Sequence, residues 1–393
     1  MMELRACAMA GLLALCVYAQ VPLDPGQFPD LVARLDKTDA AERSVPCQVH
    51  ALHPRLSFDF RFQAGYYLFV PLKAFRGAGN GFTVLTRITP QDSIPKPAYF
   101  TQTVDLPEIP RKTRSDVQLA GGYFLGEGRY NVDLMLLDQT DRVCRKHWRV
   151  EVKRSGSDRE VQVAIAHGNV APFTFESWKS MLDERRGSAS RPLRLTILLH
   201  TAPIFRRSST LRTYDQEMLL TSLASLMEQL PYTQVKLVAF NLDQQSEIFR
   251  QDNFDSANWD RLLEAMEKLQ LGTVSYNVLT RRAGHVDLLN KLVEEELAGA
   301  SRSDAVIFLG PTARQSDKPP VLPQRAEGAP QPLFFYFEYK PYWFRGAEFP
   351  DVLYHMTRAL AGKVFRIHSP SEFASAIKVV QAALEDRPAQ SGE

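Results

Sequence analysis

Residues 193–205 read LRLTILLHTAPIF, a short apolar run that carries Arg194 and Thr196 and stops at His200. A run of that length suits a buried strand. Open α/β folds place their ligands at the carboxyl ends of strands. His200 therefore raises the question of whether this strand end holds a metal, attacks a substrate or does neither.

Beyond this strand the periodicity changes. TYDQEMLLTSLASLMEQL (213–230) repeats apolar residues at helical spacing, and the strand TQVKLVAF (233–240) follows, with QSEIFRQ (245–251) as a short edge strand. Helices are expected at 255–271, 285–300, 349–362 and 371–384, and strands at 304–310, 333–339 and 363–369. Short apolar strands alternating with helices of this length predict a parallel sheet covered on both faces. Residues 311–332, rich in proline, are expected to form a loop on one rim.

Upstream, the pattern is that of strands without helices. LSFDFRF (56–62), GYYLFVPL (65–72), GFTVLTRI (81–88), GRYNVDLMLLD (128–138) and CRKHWRVEV (144–152) are separated by Gly, Asn, Asp and Pro. This predicts a small antiparallel β-sandwich of immunoglobulin-like type, closed by the 128–152 hairpin. Tyr130 is expected as a half-buried packing residue, the alternative being a corner tyrosine. The fold class is thus α/β plus all-β. Residues 46–153 form the sandwich, 154–192 a linker with a helical bridge at FTFESWKSML, 193–386 the α/β domain and 387–393 a tail.

The chain carries 47 basic and 45 acidic residues for a net charge of +2, which gives no overall field toward nucleic acid. MMELRACAMAGLLALCVYAQ opens it with one arginine and an apolar run too short to span a bilayer. This reads as a signal peptide cleaved after Ala19, so the mature protein is expected to be secreted or periplasmic and without a membrane span. Residues 20–45 are read as an exposed lead segment with a short helix near 31–35. Cleavage leaves Cys47 and Cys144, either as one disulfide or as two separate buried thiols.

The order of elements from 193 to about 386 resembles a von Willebrand factor type A domain. With the exported β-rich region ahead of it, the chain is similar to the VWFA-related proteins of acidobacteria. That resemblance implies a Rossmann-like domain with a mostly parallel sheet and a magnesium site at its carboxyl ends. The family's first motif, Asp-x-Ser-x-Ser, falls here on His200, Ala202 and Ile204. Its threonine is matched by Thr273, and its last aspartate by Gly310. A hard cation prefers oxygen ligands, and only Thr273 supplies one, so the metal site is degenerate and no cofactor is expected.

Two functional readings follow. In the first, the protein is a non-enzymatic binding or scaffold protein that meets a protein partner through its sheet-end loops. His200, Phe205, Arg206, Asp243, Tyr276, Tyr342, Trp343 and Phe344 are the candidate contacts. In the second, His200, Asp243 and His285 form a rebuilt transition-metal site for a metal-assisted hydrolase. No nucleophile elbow, His-Glu-x-x-His or phosphate-binding glycine loop accompanies it.

Overall fold

The computed structural model describes residues 20–37, 42–75, 81–92, 96–173, 193–205, 208–272, 276–281, 283–298, 303–313, 331–340 and 350–386. They divide into two compact units. The first comprises residues up to Arg55, Phe62–Lys153 and Ile165–Phe173, and the second Leu56–Arg61, Arg154–Ala164 and Thr174 onward. The change of unit after Lys153 falls where the sequence placed a boundary, but the segment that follows is divided between the units. Residues 154–164 belong with the second unit and 165–173 with the first, while the helical bridge expected near 173–182 lies outside the described residues.

The first unit is all-β apart from one helix. Its elements are β1 (Val21–Pro22), α1 (Pro29–Asp36), β2 (Gln48–Leu56), β3 (Phe62–Pro71), β4 (Gly81–Pro90), β5 (Ala98–Asp105), β6 (Asp116–Leu125), β7 (Gly128–Asp138), β8 (Val143–Val152) and β9 (Val170–Pro172). They make a five-stranded sheet in the order β1-β5-β4-β7-β8 and a four-stranded sheet in the order β2-β3-β6-β9. Tyr66 on β3 reaches Thr86 on β4 with a 2.9 Å hydroxyl hydrogen bond, and Phe100 on β5 stacks on Tyr123 of β6. Side chains of the two sheets thus share one interior, as a sandwich requires. Alternation does the sorting: Tyr130, Val132, Leu134 and Leu136 of β7 are all buried.

Residues 20–45 depart from the expected exposed lead. β1 pairs with β5, Ser44 bridges to Val143, and Leu31, Val32 and Leu35 of α1 pack on Leu23, Leu85, Met135 and Val143. Arg145 adds an ion pair to Glu42 at 2.8 Å. Next to this segment, Cys47 and Cys144 are joined by a disulfide across 97 residues. The run LSFDFRF is not a strand. β2 ends at Leu56 and β3 starts at Phe62, with Phe60 in the left-handed region at φ 56° and Ser57 N–H donating to the Arg61 carbonyl. Its alternation is that of a turn that belongs to the second unit, where Phe58 meets Tyr339 edge-on and the buried Phe60 stacks on Phe373.

The second unit contains β10 (Arg194–His200), α2 (Thr213–Gln229), β11 (Gln234–Asn241), β12 (Ser246–Gln251), α3 (Trp259–Glu267), α4 (Tyr276–Thr280), α5 (Gly284–Leu297), β13 (Ala305–Pro311), β14 (Leu333–Tyr339), α6 (Val352–Ala359), β15 (Lys363–Ile367) and α7 (Pro370–Glu385). Six strands form one sheet in the order β12-β11-β10-β13-β14-β15, parallel throughout except for β12. Period-two alternation divides the core. Leu195, Ile197 and Leu199 face one apolar cluster with Leu219 and Phe373, while Leu198, Val306 and Phe308 face a second with Leu289 and Met356. Each such side chain contributes about 1.5–3 kcal/mol on burial, which is why the central strands read as nearly continuous apolar runs. Pro311, expected in the rim loop, instead ends β13.

A cluster of four polar residues interrupts that core. Thr196 donates to Glu296 at 2.8 Å and shares a 2.6 Å hydroxyl contact with Ser303, while Lys236 reaches the other Glu296 oxygen at 2.8 Å. Both oxygens of a buried carboxylate are thereby matched, which is the condition for burying it.

Candidate functional site

The chain runs outward from β10 through β11 to β12, then returns to β13 on the other side of β10. The topological switch point therefore lies at the carboxyl ends of β10 and β13, where a doubly wound sheet opens its ligand crevice. Among the described residues, His200 is buried at this strand end, at 1% exposure. Its Nδ1–H donates to the Pro311 carbonyl at 3.2 Å, and its ring lies 5.3 Å from that of Phe240. Gly310 permits this packing, because a Cβ there would stand 2.6 Å from the His200 carbonyl oxygen and 2.8 Å from its Cβ.

The loop after β10 is tied down by backbone-directed groups. Thr201 donates to the Phe240 carbonyl through both its N–H and its hydroxyl, and Asn241 Nδ2 donates to the Thr201 carbonyl at 2.7 Å. Asp215, in the first turn of α2, is buried and accepts the Ile204 N–H at 3.1 Å and the Arg212 N–H at 2.9 Å. Ala202 is buried too, leaving Phe205 and Tyr214 partly open, with the Arg212 guanidinium 5.5 Å above the Phe205 ring.

A second polar cluster sits across Gly310, whose register partner on β14 is Glu338. Glu338 is 2% exposed, accepts the Thr312 hydroxyl at 3.0 Å and faces Lys340 at 3.4 Å. Burial raises its carboxyl above the usual range and the Asp351 charge adds to this, against the pull of Lys340 and Thr312. Asp351 caps α6 through the Tyr354 N–H at 2.7 Å and accepts the Tyr336 hydroxyl at 3.0 Å and the Ala313 N–H. Glu338, Asp215 and Asp351 are absent from the sequence-derived candidates. FFYFEY hides Glu338 within an apolar strand, whereas an aspartate one to three residues into an amphipathic run is a legible capping signal.

Of the sequence candidates, the structure brings together His200 and Gly310, with Ala202 and Ile204 in the adjoining loop. Asp243 lies in the β11–β12 turn, and Tyr276 opens α4 at 78% exposure. Thr273, Arg206, Tyr342, Trp343 and Phe344 lie outside the described residues. Among the described residues no group of three His, Cys, Asp or Glu side chains is placed to hold a metal ion. His200, Asp243 and His285 are thus not grouped as metal ligands among the described residues, and Nδ1 of His200 is turned to the Pro311 carbonyl. A magnesium ion fits no better, since a histidine, an alanine, an isoleucine and a glycine offer it no side-chain oxygen.

No family model matches the sequence, and neither does any curated protein. Among solved structures, a calcium-binding mutant of Bacteroides uniformis beta-glucuronidase 2 is similar at 9% identity and a TM-score of 0.19, over 77% of this chain and 37% of that one. Bacteroides uniformis beta-glucuronidase aligns at 10% identity over 76% and 36%, with the same TM-score of 0.19. A glycosyl hydrolase family 2 member from Bacteroides cellulosilyticus aligns at 11% over 75% and 42%, again at 0.19. The chain spans about two fifths of the length of these enzymes or less, and a likeness of this degree carries no argument about site or activity.

Proposed function

We propose that the protein is an exported, non-enzymatic binding or scaffold protein, an immunoglobulin-like sandwich joined to a von Willebrand factor type A-like domain that works without metal. The strand order supports the first part. β2-β3-β6 against β5-β4-β7-β8 corresponds to strands A-B-E against C′-C-F-G, with a corner tyrosine, Tyr130, at the start of the F strand. The second part draws on the antiparallel edge strand β12 and the switch point beside β10. Export accords with a disulfide, which an oxidising compartment maintains.

The observation that carries the functional reading is the burial of His200 at the switch point. With His200 buried against Gly310, what the sheet end offers a partner is its loop surface, including Phe205, Tyr214 and Tyr276. Aromatic side chains in such positions provide contact area at low entropic cost. The test is affinity capture from the envelope and secreted fractions of the native host, comparing the wild type with the triple variant Phe205→Ala, Tyr214→Ala, Tyr276→Ala. Loss of a specific partner in the variant is expected. Undiminished capture, or stoichiometric metal in the purified wild-type protein by elemental analysis, overturns the reading.

A further inference from the structure

A second recognition surface lies away from the sheet end, at the β12 edge. Among the described residues β12 is hydrogen-bonded on one side only, to β11, so its outer edge is that of an unpaired strand. Beside it runs an open groove of about 450 Å³, floored by Phe249, Ala265 and Leu269 and bordered by Ile248, Arg261 and Lys268. The register between β11 and β12 shifts at Ala239/Phe240, leaving Ile248 without a partner. A bulge of this kind redirects a side chain, and here it delivers an isoleucine to the groove.

The rim carries Arg261, Lys268 and Glu264, an excess of one positive charge. Lys268 is tied to Glu264 at 2.6 Å, but both are largely exposed, at 72% and 64%, and such a pair exchanges partners at little cost. Arg261 has no carboxylate partner among the described residues. Its guanidinium is held 5.9 Å over the Phe249 ring, with one 3.5 Å contact to the Gln251 side chain. An arginine parked on an aromatic face at the border of an apolar trough is preorganised for a carboxylate.

We propose that this groove takes an extended segment of a partner protein, added alongside β12, with an apolar side chain seated on Phe249 and Leu269 and a carboxylate two residues along, on the same face, on Arg261. The open edge supplies main-chain pairing, the trough selects an apolar residue and the unpaired guanidinium selects the acidic residue on the same face. This site is independent of the sheet-end loops and stands or falls separately from them.

The experiment uses the full mature chain and a fluorescein-labelled heptapeptide with leucine and glutamate alternating at every second position and threonine between them, followed by fluorescence polarisation. Saturable binding is expected. Arg261→Glu should weaken it at least about tenfold, the loss of one charge-assisted hydrogen bond, and should restore binding of the matched leucine–lysine peptide. Replacing the peptide's central residues with proline, which removes the pairing N–H groups, should abolish binding. The Phe205, Tyr214 and Tyr276 triple variant should bind the peptide as the wild type does. No saturable binding, an Arg261→Glu variant that binds like the wild type, or a sedimentation profile in which a second copy of this chain fills the groove overturns the proposal.

Discussion

Substituting Gly310 tests the packing of His200 at the switch point directly. In Gly310→Ala the new methyl carbon would stand 2.8 Å from the His200 Cβ and 2.6 Å from its carbonyl oxygen. Non-bonded carbons are comfortable near 3.5 Å, so the pair would sit about 0.7 Å too close. The offending atoms are backbone or first side-chain carbon, which no rotamer change can move, so β10 or β13 must shift. Overpacking of this kind costs about 1–3 kcal/mol, and the residue's φ of +154° adds a conformational penalty, for about 2–4 kcal/mol in all. Gly156→Ala separates the two contributions, since Gly156 has φ +55° with nothing within 4 Å of its added Cβ; that substitution should cost only about 1–2 kcal/mol. A chain of two units has no single global unfolding midpoint. The assay is therefore hydrogen exchange by mass spectrometry over 194–200 and 305–311. Gly310→Ala should raise exchange there by about thirty- to several-hundredfold. A change below about 0.5 kcal/mol, or one no larger than that of Gly156→Ala measured over its own segment, refutes the account of the packing at this sheet end.

Tyr130→Phe should destabilise the first unit by about 1–3 kcal/mol, because its buried hydroxyl donates to the Gly126 and Asn169 carbonyls at 2.9 and 3.2 Å; Tyr67→Phe, at a partly exposed site, is the control in urea denaturation. Burial pushes the Tyr130 phenol up to about 12, so its contribution is complete below the unfolded value near 10 and lost as pH rises through 12. Tyr130→Phe should accordingly flatten the alkaline stability profile. Burial alone would raise the Asp138 carboxyl, but hydrogen bonds from Arg142 and Thr140 hold it below the usual range. Its stabilisation is present above the ordinary aspartate value and disappears as pH falls through the lower folded one, so Asp138→Asn should show a flatter acid limb in pH-dependent melts. Reducing the Cys47–Cys144 bond, which closes 97 residues, should lower stability by about 2–5 kcal/mol in denaturation with and without reductant.

Much of the α/β unit was legible because its strands are buried on both faces, and LRLTILLH and DAVIFLG can be little else. LSFDFRF misled because apolar alternation marks any segment with one buried side, and here that side belongs to a turn. Tyr130 was underrated for a related reason: a strand tyrosine and a corner tyrosine share one letter, and only the position of the Gly126 carbonyl distinguishes them. The sequence placed His200, Ala202 and Ile204 at and just after the end of β10, which is where they lie. That Nδ1 of His200 meets the Pro311 carbonyl was not legible, since the two are 111 positions apart and are joined only by the parallel pairing of β10 with β13.

The division of the chain also sets a timetable for its synthesis. Phe58 and Phe60 leave the ribosome early, yet the groups that cover them, Tyr339 and Phe373, come more than 270 residues later. At about 5–20 residues per second, that interval is roughly 15–60 s. For that time an apolar tip protrudes from a hairpin whose own strands can already pair. Residues 56–61 therefore complete their packing only once α7 has been made.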